Sequence, residues 1–299
     1  MLRLPGSQKG MLVVLGLTLG ATTGLLVKGL PTGSIIERFE SIRQPSARAI
    51  RSADLDLKDG DTASARLWFD QAIATAGTPE QTDRVLSSIQ DVCLRRRSWQ
   101  LGRDYGARAV QTDDSPMSQA RYGEMLLAAG DPEDAASWLA KALSVPESAF
   151  LGWNGQDAYA SAQRDLAMAL IWQDKDLDRA QGLAENAIRS LVHRHSGSPI
   201  LVSLNDTLGW LHYWKGMQSG DPVEMELARI YTENATGDLV RQGDRELSAA
   251  VLYHLSKIYS AQGAQAAAKR AYKSATEVQL STVRMLERMD ERIGSTSGA

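Results

Sequence analysis

The sequence predicts an all-α protein, a solenoid of about six helix pairs preceded by one N-terminal transmembrane helix. Three observations carry this reading. Residues 11–27, MLVVLGLTLGATTGLLV, run for seventeen residues without a charge. Beyond residue 46, apolar residues recur at spacings of three and four, and strand-like alternation is missing. Gly, Pro and Asp punctuate that pattern at short intervals, as successive helix ends require.

The uncharged run becomes twenty residues, 11–30, if Lys28 lifts its ammonium to the interface and leaves its stem among lipid tails. Twenty helical residues span roughly 30 Å, the thickness of a bilayer's hydrocarbon layer. The alternative is a cleaved signal peptide ending near Thr18 and Gly20, but the apolar run continues past them. Gly16, Gly20 and Gly24 share one face of that helix. They read either as a packing face for another transmembrane helix or as the ordinary glycine content of membrane helices. The expected organisation is a basic segment over 1–10, an anchor over 11–30 and a juxtamembrane linker over 31–45. A helical repeat domain over 46–293 and a disordered tail over 294–299 follow. A single-pass protein with a cytoplasmic N-terminus and an exported repeat domain is the expected topology. A bacterial inner membrane is the assumed setting.

With 299 residues, 43% of them hydrophobic and 23% charged, the chain can bury a sizeable core. Its net charge of −3 is uneven: residues 1–51 carry seven Lys/Arg against Glu37 and Glu40. The remainder is acidic and offers no electrostatic footprint for nucleic acid. Cys93 is the single cysteine, which excludes an intramolecular disulfide and a cysteine-rich metal site.

The repeat is clearest over residues 249–278. Leu255 and Ser256 are followed by Tyr259, then Gly263 at a turn, then Ala268, Tyr272 and Ala275. Small residues stand where two helices must touch, and large ones fill the space between layers. This segment resembles the tetratricopeptide repeat (TPR). Partial copies occur at Gly60, Ala65, Phe69 and Ala72, and at Gly123, Gly130, Ala135, Leu139 and Ala142. Weaker ones are Gly102 with Ala109, Ala180 with Ala187, and Leu208, Gly209 and Gly216, the last stopping its helix, closed by Ala228 and Ala235. Successive copies lie 37, 33, 45, 48 and 40 residues apart, against the 34 of the family. The excess reads as lengthened turns at 151–159, 196–200, 217–224 and 235–244. Residues 276–293, with Val278, Val283, Leu286 and Met289 on one side, read as a capping helix.

No catalytic constellation is present. There is no HExxH, no nucleophile elbow and no phosphate-binding loop, and His193 and His195 end a helix, where cations are favoured. The acidic run 173–178 falls at a turn, where solvated charge is expected. No cofactor, metal, catalytic residue or small-molecule substrate is predicted. The TPR resemblance implies instead that the inner helix of each pair lines a concave, partner-binding surface. Carried onto this chain it selects Arg164, Met168, Ile171 and Trp172, then Asp206, Trp210, Tyr213 and Trp214, then Tyr253, Lys257 and Ser260. Leu208, Gly209 and Leu211 would pack between helices while Trp210, Tyr213 and Trp214 face the groove; packing of Tyr213 and Trp214 against 217–224 is the alternative. The family's clamp for a C-terminal carboxylate is missing, because the corresponding places carry Ala120, Glu124, Asp206 and Trp210. The expected function is a membrane-anchored adaptor or assembly factor for a protein partner. The alternative is a structural subunit of a membrane complex, packed through its glycine-faced helix among other transmembrane subunits.

Overall fold

The computed structural model describes residues 45–150, 155–192, 199–239 and 244–296. Residues 11–30, with Gly16, Gly20 and Gly24, lie outside them. Among the described residues no helix is long and apolar enough to cross a membrane.

Twelve α-helices and one 3-10 turn make up the described residues, with no strand. In chain order they are α1 (Pro45–Lys58), α2 (Thr62–Ala74), α3 (Pro79–Arg96), α4 (Trp99–Thr112), α5 (Pro116–Ala129) and α6 (Pro132–Ala142). After the 3-10 turn Glu147–Ala149 come α7 (Gly155–Trp172), α8 (Leu177–Val192), α9 (Pro199–Ser219) and α10 (Pro222–Leu239). The last pair is α11 (Arg245–Ala261) and α12 (Gln265–Thr296). Six of the twelve begin with proline, whose fixed φ suits the first helical position and whose missing N–H costs nothing there. Side-chain caps fix other starts: Asp61 accepts from the Ser64 amide at 3.0 Å, and Asp244 from the Glu246 and Leu247 amides at 2.9 and 3.1 Å.

Each odd helix pairs with the next even one and also touches the next odd one. The odd helices therefore form one continuous layer and the even helices lie outside it. Every small residue expected at a helix-pair contact is buried: Ala65 and Ala72, Gly102 and Ala109, Ala135 and Ala142, Ala180 and Ala187, Ala228 and Ala235, Ala268 and Ala275. A Cβ on Gly123 would stand 2.5 Å from Leu139 Cγ, so only glycine lets α5 approach α6 that closely. Gly60, Gly130 and Gly263 take positive φ at the turns within their pairs.

Two expectations are corrected. Gly216 does not stop its helix; α9 continues to Ser219, and the positive-φ turn residue is Gly220. Residues 217–224 are accordingly not a long turn. Only Gly220 and Asp221 separate α9 from α10, and the excess length is helix. Gly216 is instead a contact residue, where a Cβ would lie 3.2 Å from the Met225 backbone nitrogen.

The last helix bends at Gln279, whose φ of −162° and ψ of 95° are extended. The second half returns alongside the first, with the Tyr272 hydroxyl donating to Glu287 at 2.7 Å. Val283 and Leu286 bury against Tyr253 and Ala275, so this half caps the last pair. Helix continues to Thr296, three residues into the stretch expected to be disordered.

Candidate functional site: a polar cavity on the inner helix layer

Helix α9 contains the aromatic stretch that the sequence singled out. It is packed by α7, α8, α10 and α11. Leu208, Trp210, Leu211, His212 and Tyr213 are all buried, which places apolar side chains on every side of the helix. Trp210 is only 1% exposed. Its indole lies between the His254 imidazole, 4.2 Å away at 20°, and the Tyr213 ring, 4.8 Å away at 9°. Trp214 meets both rings edge-on at 6.0 and 5.8 Å and is half-buried in the same core. The expectation that Trp210, Tyr213 and Trp214 form an open groove wall is therefore corrected: they are packing residues. Gly209 has the expected inter-helix role, since a Cβ there would stand 2.1 Å from Thr232 Oγ1.

Tyr253 and Lys257 are corrected as well. The Tyr253 hydroxyl donates to Asp290 at 2.6 Å, and the Lys257 ammonium lies 3.1 Å from the same carboxylate. The returning half of α12 covers Tyr253, and it ties down Lys257, 39% of whose side chain stays exposed. Burial pushes the Tyr253 phenol well above its usual range, and the Asp290 hydrogen bond adds to it. Tyr213 is raised to about 12 by burial, with Asp290 contributing.

Arg164, Met168, Trp172 and Asp206 do come together. They line a partly open cavity of about 440 Å³ on the inner layer. Its walls come from α3, α4, α5, α7, α9, α11 and α12, including Trp99, Leu127, Leu247, Met285 and Leu286 as apolar surface. Glu124, Asp165, Ser203 and His254 supply further polar surface. Arg164 Nε donates to Asp165 at 2.9 Å and its Nη1 to the Ser203 hydroxyl at 3.2 Å. His254 Nδ1 stands 2.9 and 3.0 Å from the two Asp206 oxygens. His254 Nε2 is buried and has no hydrogen-bond partner.

The cluster carries three carboxylates against one guanidinium. Burial raises the Glu124 carboxyl to about 7, with the Asp165 charge acting in the same direction and Arg164 and Arg121 opposing it. Burial also raises Asp165, and Arg164 holds the shift back. Burial works against the Arg164 charge, but Asp165 and Glu124 outweigh it. Glu124, Asp165 and His254 were not picked out as site residues from the sequence. Glu124 occupies the inner-helix place that excluded the carboxylate clamp, and that was its one signal.

A second opening, of about 600 Å³, lies by the α7–α8 and α9–α10 turns among Asp174, Asp176, Asp178, Asp221 and Glu224. Its acids have structural partners. Asp178 pairs with Lys215 at 2.6 Å, Asp221 caps the Val223 amide at 2.8 Å and Glu224 meets His212 at 2.6 Å. Asp174 and Asp176 take positive φ, which aspartate tolerates, and so turn the chain without glycine.

No family model and no curated protein matches the chain. Solved structures do. BtubC (BKLC) from P. vanneervenii is 17% identical, with a TM-score of 0.50 over 79% of this chain and 91% of that one. PilW, described as a widely conserved type IV pilus biogenesis factor, is 16% identical, with a TM-score of 0.51 over 82% of this chain and 99% of that one. The fold is a TPR-like α-solenoid. At these identities the likeness speaks for the fold alone, and the TPR-like architecture accounts for the inner and outer layers described above.

Proposed function

We propose that the chain is a membrane-anchored TPR-like adaptor, or assembly factor, that holds a protein partner on its concave face. One observation carries this reading: helices from five of the six pairs converge on a single inner-face cavity with apolar walls and buried polar groups. Such a concave site, apolar with a few placed polar groups, suits recognition of a protruding segment. PilW, of similar fold, is described as a biogenesis factor, and assembly of a membrane-bound structure is the same kind of task. The anchor rests on the uncharged span 11–27, with the solenoid on the exported side. No catalytic role is part of the proposal.

The test is cross-linked partner capture from membranes by the full chain and by Met168→Glu, which puts a charge on the apolar wall. Loss of capture with an unchanged helical spectrum supports the reading, and undiminished capture overturns it. A carbonate wash tests the anchor: the full-length chain should stay with the membranes. A second reading, a structural subunit of a membrane complex, is favoured by Leu55, Leu67 and Trp68, which are exposed on the first helix pair. Sizing in mild detergent separates the two, because a subunit co-purifies in fixed stoichiometry and an adaptor comes away largely alone.

A further inference from the structure

The polar end of the cavity is built almost entirely of acceptors. Glu124, Asp165 and Asp206 bring three carboxylates to it. Asp244, which caps α11, and Glu246, which pairs with Arg97, add two more to the cavity's lining. Arg164 alone among the lining residues is a permanent cation. That guanidinium is already committed to Asp165 and Ser203. Asp206 accepts from the Nδ1–H of His254, the tautomer that leaves Nε2 without a proton. Nε2 of that ring is then a bare acceptor, and it is the buried atom left without a partner on a residue only 2% exposed. A buried acceptor without a donor is costly, and so is excess negative charge away from water. The group that satisfies both is a cation carrying N–H donors. Beside the acceptors, Leu127, Met168, Trp172 and Met285 give apolar surface of the kind that receives a methylene stem.

We propose that the cavity receives the cationic head of one Lys or Arg side chain from the protein partner, with Glu124 and His254 Nε2 as its acceptors. This rests on the adaptor reading for the source of the side chain. The volume of about 440 Å³ suits a side chain with some flanking backbone, whereas a whole helix would not fit. A free diamine shares the head-group chemistry but would have to lay a second charge on the apolar wall.

The test uses n-butylammonium and n-butylguanidinium as probes, with n-butanol, butyrate and 1,4-diaminobutane as controls, titrated into the full chain in detergent. The readout is the ¹⁵N signal of His254 in labelled protein, together with calorimetry. Saturable binding of the two monocations, with a shift at His254 Nε2 and about tenfold weaker binding by Glu124→Gln, supports the proposal. Equal binding of butanol or butyrate overturns it in favour of an apolar or anion site. Tighter binding of 1,4-diaminobutane than of butylammonium overturns it in favour of a free diamine, and no binding by any probe overturns it outright. Partner capture that depends on Met168 while the monocations fail would leave the adaptor reading standing and remove only the cation assignment. Melting of Glu124→Gln no lower than that of the parent shows that its loss of binding is local.

Discussion

The Arg97 guanidinium donates to the Thr282 hydroxyl across 3.0 Å, although 185 residues separate the two. Arg97 also donates to Ser281 at 3.3 Å and pairs with Glu246. It sits at the end of α3 in the left-handed region, with φ of 56°. Repeat arrays are expected to hold only neighbour contacts, and this residue joins the second pair to the last.

Removing the bridge should loosen the last helix without unfolding the array. Arg97→Asn keeps a residue that tolerates left-handed backbone and deletes the guanidinium. Hydrogen bonds to a charged group are worth about 1.5–3 kcal/mol each, and the partly exposed setting puts the loss at the lower end. Amide exchange over 280–291 should quicken, while α5 through α8 keep their protection.

Two glycines on neighbouring helices should respond to alanine in opposite directions. At Gly209 the new Cβ would stand 2.1 Å from Thr232 Oγ1 and 3.1 Å from the Ala228 carbonyl. Overpacking of this kind costs about 1–3 kcal/mol. Adding Thr232→Ala should recover only part of the loss, because the carbonyl stays in place. Gly182, in α8, has open space around its Cα, and Gly182→Ala should stabilise by about 0.5–1 kcal/mol. Urea unfolding of the four proteins checks both signs.

Trp210 and Trp172 should separate stability from recognition. Trp210→Ala empties a fully buried site in the aromatic stack and should cost about 3–5 kcal/mol. Trp172 is half-buried on the cavity wall, so Trp172→Ala should melt closer to the parent and yet lose partner capture. Thermal melts and capture assays on the same samples decide it. Equal melting of the two variants would mean that the indole stack is not a core.

Glu124 should make stability fall as the medium becomes less acidic. Its carboxyl is raised to about 7 in the folded chain by burial and by Asp165, against about 4.5 unfolded. The folded state therefore holds the proton more tightly, and the contribution present below pH 4.5 is lost as pH rises through 7. Asp91 adds to the shift, and Arg164 and Arg121 oppose it. Glu124→Gln removes the titration, so the stability of the variant relative to the parent should grow from pH 5 to pH 8.

The architecture was legible because its closest contacts demand small side chains at fixed spacing. Ala65 with Ala72 and Ala228 with Ala235 could be read without any structure, and each is buried. The turn at Gly130 was equally plain. Gly216 misled because a glycine required for close approach to Met225 looks the same in sequence as a turn glycine. The aromatic stretch misled for a different reason. A helix touched by four others has apolar residues all round, so no stripe distinguishes its groove side from its core side. Arg164, Met168, Trp172 and Asp206 line one cavity, as their shared inner-helix position allows. Glu124 and His254 lay beyond reach, since their sharing one cavity depends on how α5, α7, α9 and α11 pack together. The return of α12 over Tyr253 and Lys257 depends on the bend at Gln279, and nothing in that residue's chemistry announces it.

The cavity draws its walls from helices between α3 and α12, and this has a consequence for biosynthesis. Each helix pair is a local structure, able to form soon after its residues leave the ribosome. The cavity is not local, for Thr282, Met285 and Leu286 complete it and belong to α12. A nascent chain halted before residue 279 would carry stacked pairs but an unfinished cavity. The cavity is thus completed in one step, only once the second half of α12 has been made.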